Sequence, residues 1–321
     1  MVVTLKYYDE EQKEKTREDE YVIIRNVGVG KNETKMVKFQ DGKIGFLKNS
    51  SETTSSILDN LEFFISTLGK LILNTNIAKI YKAFDGETFV GTISENVAKE
   101  DETLMMLSDI VETLLEKNNP EVRNIANSIN SIKQNNMKKF YKKDGTILER
   151  AVVENEEDIC QIIDMLPIAL DLINVPSEQR EEIKRNYFKM LVFDVLTNQV
   201  DRNNNNYGIV HNKKSRTSRF ADLFDNSAIY IPGLPQTHYN LNGFLIDRKL
   251  FFACLMDNYG EYVNDIVVPI VENKEILVER TEGLSRRSLS EQEQQFFMPL
   301  FKKNIEMVCE ITNEKHTSNK K

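Results

Sequence analysis

Between Thr197 and Ser227 the chain concentrates side chains that can hold a metal ion and move a proton. Thr197-Asn198-Gln199-Val200-Asp201-Arg202-Asn203-Asn204-Asn205-Asn206-Tyr207-Gly208 is a polar loop that runs into the apolar pair Ile209-Val210. Nineteen residues after Asn206, a second short strand-like run, Phe220-Ala221-Asp222-Leu223-Phe224, ends in Asp225. Phosphoryl transfer requires an acid that orients the attacking hydroxyl, and oxygen ligands that hold Mg²⁺ against the nucleotide phosphates. An Asp-x-x-x-x-Asn loop supplies the acid and one ligand, and a later Asp supplies another. That spacing also occurs in plain Asn-rich surface turns, so the preceding element matters. Tyr187 to Leu196 is apolar almost all round, the pattern of a helix buried in a core, and such a helix places its own end rigidly.

The first half of the chain offers the other parts that this chemistry needs. A nucleotide phosphate site takes a glycine-containing hairpin, a strand lysine and a helix glutamate that orients the lysine. Tyr21-Val22-Ile23-Ile24, Met36-Val37-Lys38-Phe39 and Ile44-Gly45-Phe46-Leu47-Lys48 read as a three-strand meander. Gly28-Val29-Gly30-Lys31-Asn32 forms its first turn and Asp41-Gly42 its second. Ile57, Leu58, Leu61, Phe64, Ile65 and Leu68 recur at helical spacing, with Gly69 placed to weaken or turn that helix. Gly28 and Gly30 are therefore candidates for the phosphate turn, Lys48 for the phosphate lysine, and Glu62 for its partner. Lys38, one strand earlier, is the rival lysine. Glu62 lies at the margin of an apolar face, where an unpaired carboxylate is costly to desolvate and a lysine would relieve the cost. Strand texture resumes from Ala78 to Ile93 around Asp85-Gly86.

The run Phe193-Asp194-Val195-Leu196-Thr197-Asn198-Gln199-Val200-Asp201-Arg202, with Asn206-Tyr207-Gly208 and Leu223-Phe224-Asp225-Asn226-Ser227, resembles the HipA-like serine/threonine kinases. These carry a buried helix, a D-R-H-x-x-N-[FW]-G loop and an L-[FY]-D metal motif. Asp201 and Asn206 also share the offset of the catalytic Asp and Asn in the H-R-D-x-x-x-x-N loop of protein kinases. The resemblance implies ATP and Mg²⁺ as cofactors, Asp201 as the catalytic acid, and Asn206 and Asp225 as metal ligands. It implies an α+β, two-lobed protein-kinase-like fold with an antiparallel-sheet N-lobe and a mainly helical C-lobe. The nucleotide would then lie near Val90 to Asn96, and the acceptor would be a Ser/Thr hydroxyl of a protein or of the chain itself. Such kinases often belong to toxin and antitoxin pairs, which implies an antitoxin-like partner chain, and the additional N-terminal domain of longer members is not expected in this chain. Asn203 stands where that family has His, and Asp222 occupies its usual Pro position as a plain loop residue. The D-R-x-x-x-N portion is also similar to the phosphoinositide kinases, which leaves a lipid or small-molecule acceptor open, as does a nucleotide-binding pseudokinase. The resemblance covers about residues 20 to 100 and 155 to 270.

Composition narrows the alternatives. The formal charge of −8 and pI near 5.2 speak against nucleic acid or an anionic membrane as a partner. Cys160, Cys254 and Cys309 are odd in number and far apart, which fits reduced thiols in a cytoplasmic protein. The three histidines, His211, His238 and His316, are isolated, and neither H-E-x-x-H nor G-x-S-x-G occurs. No signal peptide or membrane span is readable. The mixed-charge run from Asp9 to Lys15 reads as a solvated segment. Domain boundaries are expected at 1–95 for the N-lobe and 96–321 for the C-lobe. Leu104 to Leu115, Val122 to Ile132, Ile159 to Ile173 and Arg180 to Leu196 read as helices, and the stretch from Asp101 to Arg150 as mostly helical. Pro120 and Pro176 sit at helix starts, Ser290 with Glu293 forms a capping box, Pro299 should interrupt the final helix, and the tail from Asn313 should fray.

Overall fold

The computed structural model describes residues 1–8, 13–27, 34–49, 56–72, 74, 76–142, 144–173, 175–200, 202–226 and 235–318. The chain divides into two compact units. The first comprises Met1–Lys99, Asp222–Ser227 and Glu279–Phe297, and the second Glu100–Ala221, Ala228–Val278 and Met298–Lys321.

The first unit is built from β1 (Val2–Tyr8), β2 (Glu14–Asn26), β3 (Thr34–Phe39), β4 (Ile44–Asn49), α1 (Ser56–Ile72), β5 (Ile80–Asp85) and β6 (Thr88–Glu95). The strands close into a six-stranded antiparallel barrel in the order β1-β2-β3-β4-β6-β5. The expected meander is present as β2-β3-β4, and the antiparallel sheet goes further and closes into a barrel. Closure comes from β1, a strand beyond the expected ones, which pairs with both β2 and β5. β2 begins inside the run expected to be solvated: Glu14 and Lys15 are exposed, and their strand is held by pairing with Tyr8 and Tyr7 rather than by β-propensity. Val3, Leu5, Tyr21, Val37, Phe39, Leu47, Tyr81, Ala83 and Ile93 fill the interior. α1 lies on β5 and β6, and its face from Leu61 to Ser66 is buried throughout. Phe64 also meets Phe297 edge-on at 4.9 Å, so α1 is covered from two sides. This is why α1 runs through Gly69 instead of stopping there. The capping box forms as expected: the Glu293 carboxylate accepts from the Ser290 N–H at 2.6 Å, and the Ser290 hydroxyl accepts from the Glu293 N–H at 3.3 Å.

The second unit holds β7 (Glu102–Met106), α2 (Leu107–Glu116), α3 (Pro120–Asn135), β8 (Met137–Tyr141), β9 (Ile147–Val153), α4 (Glu156–Ile163), α5 (Met165–Leu172) and α6 (Ser177–Thr197). It continues with β10 (Gly208–Asn212), β11 (Thr217–Phe220), β12 (His238–Leu241), β13 (Phe244–Asp247), α7 (Arg248–Asn258) and α8 (Gly260–Glu272). The chain then adds α9 (Lys274–Ser288) and α10 (Glu291–Ser318). Two small sheets, β11-β10-β7 and β12-β13-β9-β8, join the helices. The expected helix from Leu104 therefore starts as a strand, because residues Glu102 to Met106 pair with β10 before α2 begins. The stretch from Asp101 to Arg150 likewise contains the β8–β9 hairpin, turned at Gly145 with φ +82°. α10 contains Pro299 without ending there and extends to Ser318, beyond the expected fraying point. Its Phe297, Phe301, Ile305 and Val308 recur at helical spacing and are buried, which offsets the hydrogen bond that proline cannot make.

Candidate active site

Alternation along β4 sets the direction of the candidate lysine. Leu47 points into the barrel core, so Lys48 must point outward, to the side where α1 lies. Its Nζ donates to both Glu62 carboxylate oxygens at 3.0 Å and to Asp225 Oδ1 at 2.8 Å. The Glu62 side chain is only 2% exposed, whereas that of Asp225 is 43% exposed. Burial pushes the Glu62 carboxyl above its ordinary range, with Lys48 opposing that rise and Asp225 adding to it. Burial also disfavours the Lys48 ammonium, yet Glu62 and Asp225 outweigh it and raise the lysine above its usual value. Lys48 is thus a firmly charged cation held by a buried anion. The rival Lys38 is exposed on β3, with Val37 and Phe39 on either side filling the core.

Asp225 reaches this place through an anchored segment. Leu223 donates its N–H to the Asn76 carbonyl at 2.8 Å, and its carbonyl accepts from the Ala78 N–H at 2.9 Å. Asn226 is fully buried and its amide donates to the Ser66 hydroxyl at 3.3 Å. Between these anchors Asp225 sits in the left-handed region at φ +54°, a conformation that costs an ordinary side chain about 1–2 kcal/mol. Strain of this kind persists where flanking contacts fix the backbone, often at functional positions.

In the second unit the polar loop hangs from the end of α6. Asn198 closes the helix at φ +62°, and the Gln199 N–H returns to the Asp194 carbonyl at 2.9 Å. Asp194 and Arg202 are both buried and form a two-pronged ion pair, with Nε to Oδ2 at 2.9 Å and Nη2 to Oδ1 at 2.8 Å. The Tyr239 hydroxyl donates to Asp194 at 2.9 Å, and burial with that neighbouring anion holds the phenol well above its ordinary pKa. The third arm of Arg202, Nη1, donates to the Asn206 backbone carbonyl at 3.1 Å. One buried arginine thereby ties helix α6 to the residue expected to bind metal. The loop is also clamped from outside: Arg202 pairs its backbone with Asn240 and Asn242 of the β12–β13 hairpin, and Ser108 at the start of α2 donates to the Asn204 carbonyl at 3.2 Å.

Asn203, standing where the resembled family has His, shapes a turn. Its side-chain oxygen accepts from the Asn205 N–H and its carbonyl from the Asn206 N–H, each at 2.9 Å. Gly208 follows because nothing larger fits. A Cβ there would lie 2.1 Å from the Met105 carbonyl oxygen, inside the β7–β10 pairing.

Of the sequence-derived candidates, Lys48, Glu62 and Asp225 are brought together in the first unit, and Asn206 is buried in the loop of the second. Asp201, Gly28 and Gly30 lie outside the described residues. Sequence reasoning missed Asp194 and Tyr239. Asp194 left a signal, as an acid within the apolar stretch from Tyr187 to Leu196, and Asn242-Gly243 announced the hairpin that carries Tyr239. Among the described residues no cluster of three or more His, Cys, Asp or Glu is placed to hold a metal, and no helix is long and apolar enough to cross a membrane.

No family model matches the chain, and no curated protein does. Among solved structures, the proinflammatory kinase CtkA of Helicobacter pylori aligns with a TM-score of 0.62 at 14% identity, over 92% of this chain and 97% of that one. The chain has a kinase-like fold. HipA of Shewanella oneidensis MR-1, solved with HipB and operator DNA, gives 0.45 at 14% identity over 89% and 65% of the two chains. The FAT and kinase domain of CtTel1 gives 0.37 at 14% identity over 91% and 21%. Both the alignment with CtkA and the motif resemblance thus point to one architecture, and at this identity the alignment speaks of fold alone.

Proposed function

We propose that the chain is an ATP- and Mg²⁺-dependent phosphotransferase that passes the γ-phosphate to a Ser/Thr hydroxyl of a protein or of the chain itself. The observation that carries this reading is the Lys48–Glu62–Asp225 constellation: a charged lysine on a buried glutamate, beside a half-exposed, strained aspartate. In this role Glu62 orients Lys48, and Lys48 binds the nucleotide phosphates. By the motif resemblance, metal-ligand roles fall to Asp225 in the first unit and to Asn206 in the second. A carboxylate such as that of Asp225 suits Mg²⁺, which with nucleotide takes one or two carboxylates plus phosphate oxygens rather than an all-protein cage. When bound, Mg²⁺ supplies neutralisation of the phosphate charge. With nucleotide and metal bound, Lys48 would hold the phosphates and Asp225 the metal, in place of the 2.8 Å bond they make to each other. Asp201 orients the acceptor hydroxyl and takes its proton, and Arg202 keeps the Asn206 backbone in place throughout.

The motif resemblance supports the protein acceptor, and with it regulation by a separate antitoxin-like chain and a cytoplasmic setting. Incubating the purified protein with γ-labelled ATP and Mg²⁺, alone and with a cell lysate, tests the proposal. Label on serine or threonine of this chain or of a lysate protein supports it. Label on lipid alone favours the lipid-kinase reading, and bound ATP without any transfer favours the pseudokinase.

A further inference from the structure

The second unit contains a groove that the proposed chemistry does not use. It encloses about 730 Å³, and its floor is made by Met105, Ile110, Leu114, Leu172, Ile173 and Val175. Sites for small molecules typically have volumes of about 300–1,000 Å³, mainly apolar walls and a few placed polar groups. Besides Lys117, His211 and Asp109, the uncharged polar residues Thr113, Asn118, Asn119 and Ser218 line the groove. Lys117 is exposed at one rim. At another, His211 joins the groove to an open depression of about 500 Å³ lined by Pro176, Lys213 and Arg216. Asp109 also lines the groove, but its carboxylate accepts the Met106 N–H at 3.1 Å and caps α2. Neighbouring bases are already engaged, Lys214 with Asp101 at 2.6 Å and Arg219 with Glu102 at 3.3 Å. Lys213 and Arg216 are exposed in the β10–β11 turn, where Arg216 is held at φ +57°.

We propose that this groove binds an anionic amphiphile, a single-chain carboxylate whose tail lies on the apolar floor and whose head meets Lys213 and Arg216 beside His211. The charge pattern selects that occupant. In a chain of formal charge −8, a cationic mouth on an apolar groove favours an anionic head and an uncharged tail together. The wall of the groove is continuous with a clamp on the loop. Met105 lies at the end of β7 just before α2 and Asp109 in the first turn of α2, and between them Leu107 and Ser108 donate their N–H groups to the carbonyls of Tyr207 and Asn204, each at 3.2 Å. A tail packed under α2 therefore steadies those bonds and, through them, the loop from Asn204 to Tyr207.

The test is titration of sodium dodecanoate, below its micellar concentration, into the full chain by calorimetry, with dodecanol as the uncharged control. Dodecanoate should bind one site, at least tenfold more tightly than dodecanol. Lys213→Glu with Arg216→Glu, both on the exposed turn, should weaken dodecanoate at least tenfold and leave dodecanol unchanged. Thr113→Trp, from an exposed position on the rim, should fill the groove and remove both. Amide exchange at Leu107 and Ser108 should slow when dodecanoate is bound. None of these readouts involves phosphate transfer, so they stand or fall apart from the kinase reading. Equal affinities for acid and alcohol, or indifference to the charge reversal, would overturn the proposal. So would binding that survives Thr113→Trp, or an acidic amphipathic peptide that binds where dodecanoate does not.

Discussion

Replacing Lys48 by Met keeps the length of the side chain and removes its charge, which strands the Glu62 carboxylate in a place only 2% exposed. Breaking a buried pair by removing one partner costs about 3–5 kcal/mol. The Asp225 side of the triad is 43% exposed and adds only about 0–1 kcal/mol. The loss must depend on pH, because Glu62 can escape it by taking a proton. Burial already holds that carboxyl above its ordinary value of 4.5, and removing Lys48 takes away the main influence opposing the rise. The folded state then binds the proton more tightly than the unfolded state does. Stability therefore falls as pH climbs from the unfolded value through the raised folded one, by up to about 1.4 kcal/mol per pH unit. At pH 8 the variant should lose about 3–5 kcal/mol, and near pH 5 only about 1–2 kcal/mol for the missing hydrogen bonds. Urea unfolding of parent and variant at pH 5, 6, 7 and 8 measures this directly. Adding Glu62→Gln should recover at least half of the loss at pH 8. Equal losses at pH 5 and pH 8, with no recovery from Glu62→Gln, would refute a buried ion pair at this position.

Three further outcomes are expected. Arg202→Leu leaves Asp194 buried without its cation and should lower unfolding stability by about 3–5 kcal/mol, with Asp194→Asn in the same chain restoring part of it; urea titration of the single and double variants reads the difference. Gly208→Ala forces a Cβ to 2.1 Å from the Met105 carbonyl, so β7 must shift, at a cost of about 1–3 kcal/mol or more, seen as a lower unfolding midpoint than for Gly86→Ala in its open turn. Asp225→Asn removes an anionic oxygen from the proposed metal set and should weaken nucleotide binding in Mg²⁺ far more than in EDTA, which calorimetry in the two buffers distinguishes.

The parts legible in the sequence were those written in local pattern. The strand alternation around Leu47 and Lys48 and the helical spacing around Glu62 each fix a side-chain direction without reference to distant residues, and the apolar run from Tyr187 to Leu196 marks a helix buried all round. The parts that were not legible depend on pairing across the chain. β1 and the charged start of β2 are strands because the barrel closes through them, and β7 is a strand because β10 lies beside it. The periodicity of Glu102 to Met106 runs smoothly into α2, so a short apolar stretch could not distinguish helix from strand. Asp144-Gly145 and Asn242-Gly243 did carry hairpin signals, and their glycines adopt φ +82° and +86°. The site is divided in the same way. Lys48 and Glu62 could be paired by reasoning about the cost of a buried carboxylate. The Asp194–Arg202–Tyr239 network could not, because its third member is 37 residues after Arg202 and its burial is set by the hairpin.

The most direct test of the central claim separates nucleotide binding from phosphate transfer at Asp201. That residue is proposed to act on the acceptor hydroxyl and not on ATP. Asp201→Asn should therefore leave ATP affinity within a few fold of the parent, as read by calorimetry in Mg²⁺. It should lower transfer from γ-labelled ATP by about the 10²–10⁴-fold that accompanies loss of a general base. Unimpaired transfer by Asp201→Asn, with the parent active under the same conditions, would contradict the account.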